Sequence, residues 1–337
     1  MGIRKVDPTV KSKDVKKWLK KQETYSLFKQ NKNRFPRLPI LVDKIDEQWQ
    51  IDLMDMSWVS QYNDGYRYLL NVIDCFSRFA WSQPIKKKTG PEVVQAVENI
   101  LINNRVPEKL QSDQGKEFKN SAFKALMKRK KINHFYATDG KIKCAIVERF
   151  NGTLRARIYR YLHHVNSGKF INVLDEIVES YNNSFHRTIG MAPAEVGPEN
   201  SSLVLKNIRK SHPRVDVNYK PFAIGSKVRI RREKGIFEKG AKRNFKLEIF
   251  TINRHKRTAQ GWIYWLEDYA GEAITSIFYH NELIPAIEPS LYQIEKIIRT
   301  RINPNTKKKE YFVKWRDYPS KFNQWVQDVE PTSRVFY

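Results

Sequence analysis

Residues 49–56 read WQIDLMDM and residues 66–74 read YRYLLNVID. Both runs are apolar enough to be strands, and Tyr62-Asn63-Asp64-Gly65 lies between them. Asp-Gly between two such runs signals a hairpin. A third strand is predicted over Arg78–Pro84. Val93, Val94, Val97, Ile100 and Leu101 then recur at helical spacing within Pro91–Asn103. A short strand (Lys109–Ser112), a helix (Ser121–Lys130) and a strand (Asn133–Ala137) follow. Two helices complete the stretch, Ala145–Leu162 and Phe170–Phe185. The order βββαβαβαα predicts an α/β domain in which an antiparallel hairpin feeds a mixed sheet.

The chain as a whole is strongly basic. Its 337 residues hold 62 Lys and Arg against 36 Asp and Glu, a net charge of +26. Twelve Lys and Arg face three acids in residues 1–40, and thirteen face three in residues 220–257. Two separated basic zones suit a surface that tracks a polyanion, with nucleic acid the first choice. No apolar run approaches the ~18–20 residues of a bilayer span. The Lys-rich first 30 residues lack the apolar core of a secretory signal. Only Cys75 and Cys144 are present, which excludes a disulfide framework and a four-Cys zinc site and points to a reducing compartment.

Residues 10–30 predict a basic amphipathic helix with Val15, Trp18, Leu19 and Tyr25 near one face. Within 221–286, short strands (Lys227–Arg231, Ile249–Asn253, Trp262–Glu267, Ile277–Phe278) alternate with Gly-containing turns, the pattern of a small all-β barrel. A linker at Pro285…Pro289 leads to a third unit. The expected domains are 1–45, 46–200, 201–286 and 287–337.

Three acids stand out. Asp52 lies inside the first strand, where a carboxylate is costly unless paired or metal-bound. Asp113 follows the fourth strand, and Glu148 opens the long helix. If the first and fourth strands are neighbours, Asp52 and Asp113 meet at one edge, and a crossing helix could bring Glu148 there. Hard oxygen ligands of this kind suit Mg²⁺. Spacing alone leaves other readings open: a paired strand residue, a turn Asp before Gly115, a first-turn helix acid. Asp55, Asp74 and Glu117 compete. Asp55 points to the opposite strand face from Asp52, and Asp74 could serve only to organise Ser77 and Arg78.

Residues 47–197 resemble the catalytic core of retroviral-type integrases, with a ribonuclease-H-like fold. The matching blocks are Trp49-Gln-x-Asp52, Val72-Ile-Asp-x-Phe-Ser-Arg78, Ser112-Asp-x-Gly115 with Glu117-Phe118, and Val147-Glu-Arg-Phe-Asn-Gly-Thr-Leu154. Tyr181-Asn182…His186-Arg187-Thr188…Pro193-x-Glu195 closes the series, and 34 residues separate Asp113 from Glu148. The style of Trp18-Leu19…Gln22, Arg34-Phe35-Pro36 and Gln48-Trp49-Gln50 is most similar to integrases of Maverick/Polinton-like transposons. The resemblance implies that Asp52, Asp113 and Glu148 bind two Mg²⁺ or Mn²⁺ ions and cut and join DNA through 3′-hydroxyl attack on phosphate. It further implies double-stranded transposon ends and target DNA as partners, a homo-oligomer, no membrane, and a nuclear location. With no Cys before position 75, the His/His/Cys/Cys zinc module of many relatives is not expected.

Under this reading Lys141 and Lys143, in the loop before the long helix, and Arg155 on that helix contact phosphate. Lys227, Arg229 and Arg231 alternate by two and so share a strand face. A row of cations cannot be core, so that face is expected to meet solvent or phosphate. Residues 291–330 resemble a chromodomain, a small β-plus-helix module, through Tyr292-Gln-Ile-Glu-Lys-Ile297, Tyr311-Phe-Val-Lys-Trp315…Tyr318 and Asn323-Gln-Trp325. The resemblance puts Tyr292, Trp315 and Tyr318 at methyl-lysine cage positions for a methylated histone tail. Aromatic core packing is the competing role, and Trp325 fits it. Three functions follow as expectations: a chromatin-targeted DNA integrase, a domesticated and catalytically silent DNA- or chromatin-binding protein, and a nuclease that only hydrolyses.

Overall fold

The computed structural model describes residues 11–19, 22–29, 35, 37–102, 105–137, 144–212, 219–232, 243–289 and 292–327. The chain divides into two compact units, Leu38–Arg214 and a second made of Met1–Arg37 with Val215–Tyr337.

The second unit begins with α1 (Ser12–Leu19) and α2 (Glu23–Phe28), where one basic helix over 10–30 was expected. The first unit is built on β1 (Gln48–Asp55), β2 (Tyr68–Asp74), β3 (Ala80–Ile85), β4 (Lys109–Ser112) and β5 (Asn133–Tyr136), in the order β3-β2-β1-β4-β5. The first three strands run antiparallel, and β1–β4 and β4–β5 pair in parallel. This is the mixed sheet expected of a ribonuclease-H-like core.

Each face of the sheet carries its own apolar layer. On one, Trp49, Ile51, Leu70, Val72 and Leu110 pack with Val93, Val97 and Ile100 of α3 (Gly90–Leu101) and Phe123 and Leu126 of α4 (Ser121–Arg129). On the other, Met54, Leu69 and Ile73 meet Val147, Phe150, Leu154 and Ile158 of α5 (Ala145–His164), with Leu174, Val178 and Tyr181 of α6 (Leu174–Asn182). The i, i+3, i+4 recurrence in α5 is what seats that helix on the sheet. A helix that the sequence reading missed, α7 (Ser201–Ser211), buries Val204 and Ile208 against Val42, Phe76 and Ile189.

In the second unit β6 (Lys227–Ile230), β7 (Phe250–Thr258), β8 (Gly261–Glu267), β9 (Phe278–Tyr279) and β10 (Leu283–Pro285) form an antiparallel sheet ordered β10-β6-β7-β8-β9. Its core holds Val228, Phe250, Ile252, Tyr264, Leu266 and Phe278. β10 occupies the start of the expected linker. A three-stranded antiparallel sheet follows, made of β11 (Ile294–Ile302), β12 (Lys309–Trp315) and β13 (Gln324–Val326). Within this module the described residues hold no α-helix, and residues 328–337 lie outside the described residues. Among the described residues no helix is long and apolar enough to cross a membrane.

Candidate active site

Strand register brings the first two acids together. β1 and β4 run parallel with Gln50 opposite Gln111. Two residues further along each segment lie Asp52 and Asp113, so both emerge on the same side of adjacent strands. Neighbouring strands are about 4.8 Å apart. Asp52 is half-buried inside β1, while Asp113 stands exposed just past the end of β4.

The third acid arrives on α5, and two amides hold that helix in place. The first four N–H groups of a helix need outside partners. Cys144, the residue before α5, supplies no side-chain cap. Instead the buried Gln50 reaches across from β1. Its Oε1 accepts from the backbone N–H of Ile146 at 2.9 Å and of Val147 at 3.1 Å. These are the second and third helical positions, the donors an N-cap side chain normally satisfies. Gln50 Nε2 donates to Gln111 Oε1 at 2.8 Å, and Gln48 Nε2 donates to the same oxygen at 3.0 Å. One amide ladder thus joins β1, β4 and the start of the helix that bears Glu148.

The second amide is Asn151, one turn after Glu148. Its Nδ2 donates to Asp52 Oδ2 at 2.8 Å. Asn71 Nδ2, on β2 opposite Asp52, donates to Asn151 Oδ1 at 2.7 Å and sets the amide's orientation. Asp52 Oδ1 accepts from the N–H of Leu53 at 2.9 Å, and Asp113 Oδ1 from that of Gly115 at 2.9 Å. Each carboxylate oxygen has two lone pairs, so acceptor capacity remains.

The charges of Asp113 and Glu148 are both felt at Asp52. Burial pushes Asp52 up to about 6; the charges of Asp113 and Glu148 add to this, and its hydrogen bonds from Leu53 and Asn151 act the other way. The buried thiol of Cys144 is pushed up to about 12, first by burial and then by Asp52, Asp113 and Glu148. Glu148 is exposed. Among the described residues no three of His, Cys, Asp and Glu lie close enough to hold one ion between them. The donor chemistry nonetheless fits a hard divalent cation: carboxylate oxygens only, two of them on adjacent strands and one on a capped helix.

Of the competing acids, Asp74 is committed elsewhere. Asp74 is fully buried and accepts from the N–H of Phe76 and from the N–H and hydroxyl of Ser77, and it pairs with Arg105 at 3.1 Å. Asp55 is exposed and accepts from the N–H of Ser57. Gln50 and Asn151 were missed by the sequence reading. A Gln buried among strand apolars and an Asn one turn from Glu148 were the available signals.

The expected DNA contacts fare unevenly. Arg155 is exposed on α5, in a solvent-facing stripe with Glu148, Gly152 and Tyr159. Lys141 and Lys143 lie outside the described residues. Lys227 is exposed and donates to Thr251 Oγ1 at 3.0 Å, and Arg231 is half-buried. Arg229 corrects the expectation of an outward row of cations. It is only 1% exposed, with Nε donating to the Leu247 carbonyl at 3.3 Å and Nη1 to Ser26 Oγ of α2 at 3.5 Å. A carbonyl and a hydroxyl replace water around the guanidinium, which is what a buried cation requires. The three cage candidates do converge: the Tyr292 ring centroid lies 6.0 Å from those of both Trp315 and Tyr318.

With this geometry in place, residues 43–141 match the model of the integrase core domain family, and residues 292–330 match that of the chromo (chromatin organisation modifier) domain. A transposon-derived protein of Caenorhabditis elegans is 35% identical over 199 residues, 59% of this chain and 66% of its own length. The Pol polyprotein of Feline endogenous virus ECE1 is 26% identical over 180 residues, 50% of this chain and 16% of its own length. The chain thus spans about two thirds of the first relative and a small part of the second. A chain of the simian T-cell lymphotropic virus intasome, solved with the PP2A regulatory subunit B56 gamma, shares the fold at TM-score 0.59 and 16% identity. That likeness covers 84% of this chain and 93% of that one.

Proposed function

From a chain that carries an integrase core domain and a chromodomain, we propose a transposon integrase of the Maverick/Polinton-like type, which cuts and joins DNA with divalent metal and is directed to chromatin. Asp52, Asp113 and Glu148 would hold two Mg²⁺ or Mn²⁺ ions. When bound, such ions stabilise charge on the attacked phosphate and favour the deprotonated form of an attacking water or hydroxyl. The chain's own residues do the rest. Asn151 orients the Asp52 carboxylate, and Gln50 fixes the start of the helix that presents Glu148. Asp52 must shed the proton that burial favours before it can act as a ligand. Arg155, on the exposed stripe with Glu148, is placed to meet a DNA phosphate, with Lys141 and Lys143 as further contacts. The observation that carries this reading is the Gln50–Gln111 register, which sets Asp52 beside Asp113.

Around this site the proposal has double-stranded transposon ends and target DNA as substrates, a homo-oligomer as the working form, and the nucleus as the setting. Tyr292, Trp315 and Tyr318 would receive a methylated lysine of a histone tail through cation–π contact. Binding there would raise the effective concentration of the enzyme near marked chromatin.

The test is a strand-transfer assay with end-mimicking duplexes and Mg²⁺ or Mn²⁺. Joined product supports integration. Cut product alone favours a hydrolytic nuclease, and binding without either product favours a silent DNA-binding protein. Asp113→Asn is expected to abolish joining while leaving salt-sensitive DNA binding intact. Equal joining by mutant and wild type would remove Asp113 from the site.

A further inference from the structure

The three cage candidates do not enclose their cavity alone. A space of about 130 Å³ is lined by Tyr292, Trp315, Tyr318, Phe322 and Gln324, and by Tyr269. Tyr269 belongs to the preceding β-domain, in the turn after β8. It is 59% exposed, so core packing does not account for it. Its ring meets Phe322 edge-on at 6.3 Å and 86°, and Phe322 meets Tyr318 at 6.0 Å and 88°. Trp315 and Tyr318 in turn are inclined to the Tyr292 ring at 61° and 73°. Five rings from two modules therefore surround one small space.

The modules are held together on both sides of that space. After Tyr318, Lys321 pairs with Asp268 and Glu272, the residues that flank Tyr269 in its turn. Before Tyr318, Asp317 accepts from the N–H of Leu247 at 2.9 Å and pairs with Arg243 at 3.3 Å. The turn that offers the fifth ring is thus also the turn that clamps the chromodomain.

The chemistry of the lining selects the occupant. Ring faces are electron-rich and attract a cation, most strongly one that gives up its water easily. Glu288 sits beside the cavity, accepting from the Tyr292 hydroxyl at 3.4 Å. The nearby cation, Lys321, is neutralised by its two acids. Among the described residues none that lines the space carries a positive charge, which gives a phosphate no charged donor in the lining, and an unmodified ammonium would give up more hydration than a methylated one. A di- or trimethylated ammonium fits on both counts.

We propose that the methyl-lysine site is composite, with Tyr269 of the β-domain as a wall and a specificity determinant, so that the mark is read by the two modules together. This deepens the methyl-lysine reading above and rests on it. The test titrates the full chain with peptides trimethylated at one lysine of a histone tail, beside their unmodified counterparts. Tyr269→Ala is expected to weaken the preferred trimethylated peptide by roughly three- to tenfold, the worth of one good ring. Tyr269→Phe, which keeps the ring, is expected to bind as wild type. Because Tyr269 is exposed, an unchanged melting curve should accompany both variants. If Trp315→Ala abolishes discrimination while Tyr269→Ala binds as wild type, the composite site is overturned and the methyl-lysine reading stands. If wild type does not distinguish trimethylated from unmodified peptides, both fall.

Discussion

The catalytic sheet and the small β-domain each bury a polar side chain, Gln50 in the first and Glu248 in the second, and the two are accommodated differently. In the sheet, Gln50 is fully buried and spends its amide on three partners, Ile146, Val147 and Gln111. In the β-domain, Glu248 is 4% exposed, and burial pushes its carboxyl up to about 7. A buried amide with partners is a structural joint, whereas a buried carboxyl held near neutrality is a strained group.

The sharpest way to break the comparison is Gln50→Ala. It leaves two N–H groups at the start of α5 without their acceptor and takes from Gln111 Oε1 one of its two donors. Each unsatisfied buried group costs about 1–3 kcal/mol, so a loss on the order of 2–4 kcal/mol is expected in denaturant unfolding of the core. Joining should fall with it, even at temperatures where the variant remains folded, because Glu148 loses its fixed base. A melting curve and joining rate matching wild type would show that Gln50 is not the joint described here.

Asn151→Ala probes the same joint from the helix side with less effect on folding. Asn151 is half-buried, but the fully buried Asn71 would lose the acceptor of its Nδ2, so a stability loss on the order of 1–2 kcal/mol is expected too. Asp52 would lose a hydrogen-bond donor and its orientation. Outer-shell partners of this kind are typically worth 10–100-fold in metal affinity or activity, and a drop of about that size in joining rate is expected. An unchanged rate would leave Asn151 a bystander.

How far the sequence revealed each region follows from the same physics. The strands and helices of the sheet were legible because their apolar periodicity is regular. Asp52 and Asp113 stood out as acids in or just after a strand, but spacing left other readings open and the integrase resemblance singled them out. Gln50 and Asn151 were hidden, since their roles exist only once β1, β4 and α5 have met. In the β-domain the error was one of sign. Lys227, Arg229 and Arg231 alternate as an outward face should, yet Arg229 turns inward because the Leu247 carbonyl and Ser26 of α2 are there to receive it. Period-two alternation assigns side chains to a face, but only tertiary structure decides which face is covered. Tyr269 escaped notice for a related reason: it lies in a turn outside the chromodomain motif and joins the aromatic cluster only across the two modules.

Glu248→Gln tests the other half of the comparison, with the smallest expected effect and the opposite sign. The carboxyl is surrounded by Lys246 and Lys321, which favour its charge, and by Asp268 and Asp317, which oppose it. Burial outweighs them all. The folded chain keeps the proton up to about pH 7, whereas an unfolded Glu releases it near 4.5. The folded state therefore binds more protons across that window. Its stabilisation by acid is complete below pH 4.5 and is lost as the pH rises through 7. Gln carries no charge to desolvate, so the variant should melt higher at pH 8, by a gain on the order of 1 kcal/mol after allowance for solvent near the group. The gain should shrink toward zero as the pH is lowered to 4.5. Melting curves of both proteins at pH 4.5, 6 and 8 would show it. A difference that stays constant across those three values would mean that Glu248 titrates alike in the folded and unfolded chain, and that its burial carries no such cost.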